Sequence, residues 1–146
     1  MLYIDYIILR QSYDESLMRL KEAIDRKEEA FVRTLPNAIR YDLQKVLHSI
    51  TSHSTLDDYI IESEKLEEQI RQARIIVIER KEMLDLKEKE LRKSHDTTDV
   101  VYVMRYVDGY KVNQIAQKLG YRQESIYYHI GKIKHQMKKN GIIKSL

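Results

Sequence analysis

The sequence predicts an all-α protein: a long antiparallel helical hairpin (coiled coil) followed by a small domain of short helices. Three observations predict it. Chain breakers are scarce, with Pro 1 and Gly 4 in 146 residues, so long uninterrupted helices are the expected outcome. Apolar residues recur at steps of three and four over two long stretches, 2–31 and 56–93, a spacing that keeps one helix face against a partner. The stretch 99–139 instead holds short apolar blocks, separated by Asp108-Gly109 and Gly120-Tyr121-Arg122. Those are turn compositions.

In the first stretch Leu2, Tyr6, Leu9, Tyr13, Leu17, Leu20, Ile24 and Phe31 mark the apolar face, and Lys27 interrupts it. A helix over 2–31 is roughly 45 Å long at 1.5 Å per residue. Pro36-Asn37 is expected to stop it. Residues 34–55 then gather Ser, Thr, Asn and His and lose the period. They are expected to form a connecting loop, with a helical turn or two around Asp42 to His48. His48 and His53 lie there, but no Cys and no acid at helical spacing completes a ligand set. No metal site is expected.

The second stretch carries the longer seam: Leu56, Tyr59, Leu66, Ile70, Ala73, Val77, Leu84 and Leu91, with Ser63, Arg80 and Lys87 as polar members. Thr55 is the expected cap, and Asp57 and Asp58 suit the first-turn dipole. A helix over 56–93 spans roughly 57 Å, long enough to lie back against the first. One feature exceeds a hairpin. Ile75, Ile76, Val77 and Ile78 are consecutive and point all round the helix, so one partner helix cannot cover them. A second contact is expected. It is either another copy of the chain, in a homodimer, or helix 99–107 or the middle loop folding back. Ser94-His95-Asp96-Thr97-Thr98 reads as the joint, rich in capping residues, with His95 a solvated linker residue. The expected domains are 1–93, for dimerisation, and 97–146.

Inside the second domain lie Ala116, Gly120 four residues on, and Ile126 six after that. A small residue permits two helices to cross closely. A glycine takes the left-handed conformation that ends the first helix, and an isoleucine packs back from the second. Ile115 and Leu119 share that core, and Ile130, Ile133 and Met137 continue its stripe along a helix over 123–139. A preceding apolar helix (Val100, Val101, Val103, Met104, Val107) breaks at Asp108-Gly109. This is the spacing of a DNA-binding helix-turn-helix. An ordinary amphipathic helix pair is the plain alternative.

Charge agrees with it. The chain's net charge is +3. Residues 94–146 hold nine Lys/Arg (Arg105, Lys111, Lys118, Arg122, Lys132, Lys134, Lys138, Lys139, Lys144) against four acids (Asp96, Asp99, Asp108, Glu124), a net of +5, while 1–93 carry −2. Concentrated positive charge is what a phosphate-binding face requires, although a solvated Lys-rich tail has the same composition. Cys 0 excludes disulfide and thiolate chemistry and fits a reducing cytosol. With 34% charged residues and a mean hydropathy of −0.56 the chain is expected to be soluble. The start, MLYIDYIILR, is too short to span a membrane and lacks a signal peptide's basic leader. No nucleophile–base pair, phosphate-binding glycine loop or metal cluster is evident. Neither enzyme activity nor a cofactor is expected.

Residues 99–139 resemble region 4 of bacterial sigma factors and the related four-helix domains of response regulators. The run MRYVDGYKVNQIAQKLGYRQESIYYHIGKI is similar to that pattern almost without gaps. Two positions depart from it. Lys111 stands where the family usually carries a Ser or Thr helix cap. Gly131 stands where relatives often place a basic residue facing DNA, so one contact is expected to be missing. The whole layout, with Arg40-Tyr41-Asp42 in the polar loop, is similar to the small phage-encoded transcriptional activators of the ArpU type, which act on phage late or packaging genes. That resemblance implies promoter-proximal DNA binding that recruits or assists host RNA polymerase, in the cytoplasm of a bacterial host.

With Ile126, Ile130 and Ile133 turned inward, the outward residues near the start of helix 123–139 are Gln123, Glu124, Tyr127 and Tyr128, with Ser125 on the flank. Gln bonds adenine bidentately, Glu accepts from cytosine, and Tyr meets a thymine methyl or a phosphate. Lys111, Asn113, Arg122 and Lys132 are the candidate phosphate contacts. His129, present in relatives too, is read as structural. Two other functions remain open. One is a small terminase-like DNA-packaging recognition subunit. The other is a region-4-like module that touches RNA polymerase without reading DNA.

Overall fold

The computed structural model describes the backbone of residues 1–40 and 53–142, and the side chains of residues 1–30 and 60–142. Among the described residues the fold is all-helical. Its elements are α1 (Leu2–Arg40), α2 (His53–Arg92), α3 (Thr97–Tyr102) running on into a π-helical turn (Val103–Val107), α4 (Val112–Leu119) and α5 (Gln123–Lys139). None of the described helices is long and apolar enough to cross a membrane.

Both long helices exceed the expected limits. α1 does not stop before Pro36 but runs on to Arg40. A proline deletes one i→i−4 bond, and the helix formers around it (Leu35, Ala38, Ile39, Arg40) carry the helix past that gap. α2 begins at His53, so Thr55 lies inside the helix and is not its cap. The expected loop over 34–55 is therefore helical at both ends. Its centre, with Tyr41, Asp42 and His48, lies outside the described residues.

The chain forms two compact units: Ser12–Lys81, and Met1–Gln11 together with Glu82–Leu146. In the first, α1 and α2 run antiparallel. The Arg80 guanidinium donates to the Ser12 carbonyl at 2.7 Å, Lys81 sits over the Tyr13 ring, and Lys27 pairs with Glu67 at 2.9 Å. The α2 seam follows the heptad reading. Ile70 is buried, and Ser63, Leu66, Ala73, Val77 and Arg80 are half-buried.

The α1 seam departs from the expectation. Ser16 and Ala23 are buried, whereas Leu17 is exposed and Ile24 only half-buried. Small residues occupy the buried positions, and the neighbouring large ones are turned aside. Among the described residues the isoleucine run is covered only in part. Val77 occupies the seam, but Ile75, Ile76 and Ile78 are 44%, 41% and 58% exposed.

In the second unit the first turns of α1 belong with the C-terminal helices, so the chain divides elsewhere than at the expected joint. Asp99, 2% exposed, accepts from the Tyr3 backbone N–H at 3.2 Å and from Ser94 Oγ at 2.8 Å. The first N–H groups of a helix have no partner within it. A carboxylate from α3 therefore caps the start of α1. The joint residues do the same for α3, where Asp96 is the N-cap and accepts from Thr98 N–H.

Around this cap tyrosines stack. Tyr102 lies against Tyr3 and Tyr106 with ring centres 5.3 and 5.2 Å apart, and meets Tyr6 edge-on. Burial and the nearby Tyr6 push the Tyr102 hydroxyl up to about 12. Burial and the Asp99 carboxylate raise that of Tyr3.

Candidate nucleic-acid interface

α3 continues as a π-helical turn, which closes with Asp108 N–H on the Val103 carbonyl and ends at Asp108-Gly109. Gly109 has φ 76°. Three interactions fix this corner. Arg92 donates to both Asp108 oxygens while also pairing with Glu88. Arg105 donates to the Tyr110 carbonyl. Lys118 sits 3.8 Å from the Tyr110 ring centre, a cation–π contact. Lys118 therefore serves the corner, although its charge counts toward the basic excess.

α4 starts at Lys111, which adopts the extended backbone of an N-cap. A lysine side chain has no acceptor to offer. The structure supplies substitutes. Gln114 Oε1 accepts from Lys111 N–H, and Asn113 Oδ1 accepts from Gln114 N–H, both at 2.9 Å. α4 ends at Gly120 with φ 68° and ψ 26°, the left-handed conformation that costs glycine nothing. The N–H groups of Gly120 and Tyr121 both turn back onto the Ala116 carbonyl. After this turn Arg122 is extended and starts α5, with its carbonyl accepting from Ser125 and Ile126.

The core beneath is small. Ile115 and Ala116 from α4 and Ile126, Ile130 and Ile133 from α5 are buried, as are Val101 and Val103. α5 packs against both α3 and α4. The Thr98 hydroxyl lies 3.1 Å from His129 Nδ1, which fastens α3 to α5 at the level of the α5 stripe. His129 thus has a structural contact on the inner flank of α5.

The candidate base readers lie on the opposite face. Gln123, Glu124 and Ser125 are exposed, and Tyr127 and Tyr128 are 60% and 69% exposed. Gln123 and Glu124 share an open concavity with Asn113 and Arg122, between the outer side of α4 and the start of α5. Four of the candidate residues are therefore brought together there. Ser125, Tyr127, Tyr128, Lys111 and Lys132 are exposed but do not line that concavity. Asn113 already uses its Oδ1 as an α4 cap, which leaves its amide nitrogen to donate outward.

Two lining residues were not foreseen, Gln117 and Tyr121. Gln117 was readable, since it lies one helical turn after Asn113 on the same face. Gly131 is exposed, and a side chain added there would meet nothing within 4 Å. No ligand-like group of His, Asp or Glu occurs among the described residues.

No protein-family model matches the chain, and no curated protein or solved structure does either.

Proposed function

We propose that the chain is a sequence-specific, double-stranded-DNA-binding transcription regulator. In this reading α4, the Gly120 turn and α5 form a helix-turn-helix of the sigma region-4-like kind. α5 enters the major groove, and the partner in action is host RNA polymerase, as for a phage or mobile-element activator in a bacterial cytoplasm. One observation carries the reading. α5 buries Ile126, Ile130 and Ile133 completely or nearly so, while Gln123, Glu124, Tyr127 and Tyr128 stand exposed along its outer face. Groove readout needs exposed hydrogen-bonding and aromatic groups on a helix whose other side is fixed. Arg122 and Asn113 share the concavity with Gln123 and Glu124, which suits phosphate contacts that set register.

Selection from random duplex DNA tests it. Alanine at Gln123, Glu124, Tyr127 or Tyr128 should change the preferred site, and each base contact removed should cost about 1–3 kcal/mol of discrimination. If all four variants return the parental site at parental affinity, α5 does not read bases.

One observation favours a second reading, contact with polymerase alone. The first two turns of α5 hold no Lys or Arg, Gly131 adds none, and Tyr121, Tyr127 and Tyr128 are each exposed. Exposed tyrosines are frequent anchors of protein interfaces.

A further inference from the structure

We propose that the groove between α1 and α2 in the unit Ser12–Lys81 is a homodimer surface, and that its two-fold axis runs parallel to the helices. The groove has a floor of small residues, Ser16, Ala23 and Ala73. The Ser16 hydroxyl is tied back to the Tyr13 carbonyl at 2.6 Å, so the floor presents no unpaired polar atom. Ile76 is the one member of the isoleucine run on the rim. Ile78 lies about 160° further round α2, since two residues turn a helix by roughly 200°.

The two walls differ in charge. Arg19, Glu22 and Arg26 stand on the α1 side, and Glu68, Gln69 and Gln72 on the α2 side. The register between the walls is fixed by Lys27 opposite Glu67 and by Arg80 on the Ser12 carbonyl. It follows that Arg26 is level with Glu68, Glu22 with Gln72, and Arg19 with Ile75 and Ile76.

An isologous interface must be complementary to itself. Rotation about an axis parallel to the helices keeps every residue at its level and lays the α1 wall of each copy over the α2 wall of the other. Arg26 then meets Glu68 of the second copy, and Glu22 meets Gln72. Ile76 comes down on Ser16 and the apolar stem of Arg19, a stem well suited to cover it. A two-fold perpendicular to the helices instead lays each α1 wall on the α1 wall of the other copy, so Arg26 no longer meets Glu68. Glu68 is held by Arg71 and Gln72 at the wall's edge in the single chain. Its carboxylate is thus already oriented, and it remains half exposed. The second copy also covers one of the isoleucines that a single chain leaves wet.

Sedimentation velocity of the full chain over a concentration series is the test, with circular dichroism to establish that each variant is helical. It needs no DNA, so its outcome is independent of the DNA-binding reading. The parent should dimerise. Arg26→Glu and Glu68→Arg should each weaken the dimer about tenfold or more, through repulsion at two symmetric pairs. Combining them should restore it, because both pairs are rebuilt with reversed sign. Ile76→Asp should give monomers of unchanged helicity, and Ile78→Asp should still dimerise. A parent that is monomeric throughout overturns the proposal. So does a double variant no tighter than the single ones, or dissociation by Ile78→Asp with Arg26→Glu unaffected.

Discussion

Replacing Asp99 by alanine should loosen the first turn of α1 and the C-terminal helices together. The side chain accepts two hydrogen bonds from within a buried setting. Hydrogen bonds to a charged group are worth about 1.5–3 kcal/mol each. Tyr3 is fully buried, so its N–H has no water to turn to. Ser94 is half-buried and its hydroxyl can reach solvent, which puts its share at the low end. The carboxylate also sits in the first turn of α3 and at the start of α1, where negative charge contributes about 0.3–1 kcal/mol per helix.

Set against the relief of no longer burying a carboxylate, the net destabilisation is about 2–4 kcal/mol. For a unit of this size that lowers the melting temperature by roughly 10–25 °C. Asp99→Asn keeps an acceptor for Tyr3, and its amide can donate to Ser94 Oγ, so it should cost about 1 kcal/mol. The assay is a thermal melt followed by circular dichroism, with hydrogen exchange read at the Tyr3 amide. If Asp99→Ala melts within about 2 °C of the parent, well inside that shift, and leaves Tyr3 protected, the cap contributes nothing to stability.

Two further predictions concern charge. Removing Arg122 or Lys132 should weaken binding to all DNA sequences alike and make the salt dependence shallower by about one unit of log–log slope for each phosphate left unneutralised. An affinity independent of salt would count against phosphate contact altogether. Tyr102 ionises at about 12 in the folded chain against 10.0 when free. Between those values the folded state binds more protons than the unfolded one, so stability present below pH 10 is lost as pH rises toward 12. Tyr102→Phe should remove that component, which alkaline melts and tyrosinate absorbance would both register. An unchanged alkaline profile would refute it.

The elements that were legible in the sequence share a local cause. The limits of α5 follow from the Ile126, Ile130 and Ile133 period and the Gly120 turn, and the α2 seam from unbroken three- and four-residue steps. Where the structure departs from the pattern, the competing residue is a neighbour. At Ser16 and Ala23 the pattern favours the larger Leu17 and Ile24, because periodicity weighs hydrophobicity while close helix packing selects small size. Pro36 reads as a stop because its cost is visible locally and the support around it is not. The caps and ties that assemble the C-terminal unit leave no trace in spacing. Asp99 bonds a main-chain N–H that any residue at position 3 other than proline would offer, and Arg92 finds Asp108 only after the chain has turned at the joint and run through α3 and the π-helical turn. Of the candidate interface, exposure along the outer face of α5 was readable from helix geometry. The concavity joining Asn113 to Arg122 depends on the angle between α4 and α5, which sequence spacing does not specify.

The bond between Tyr3 and Asp99 closes a span of 96 residues, and this bears on how the protein is made. At about 5–20 residues per second the ribosome needs roughly 5–20 s to add the residues between them. During that interval the tyrosines at the head of α1 have left the tunnel without their partners. Their apolar rings are open to chaperones and to other nascent chains. The unit is completed only when the helices around Asp99 arrive to meet that earlier segment. Contacts so distant in sequence slow folding. The head of α1 therefore needs protection until the helices around Asp99 have been made.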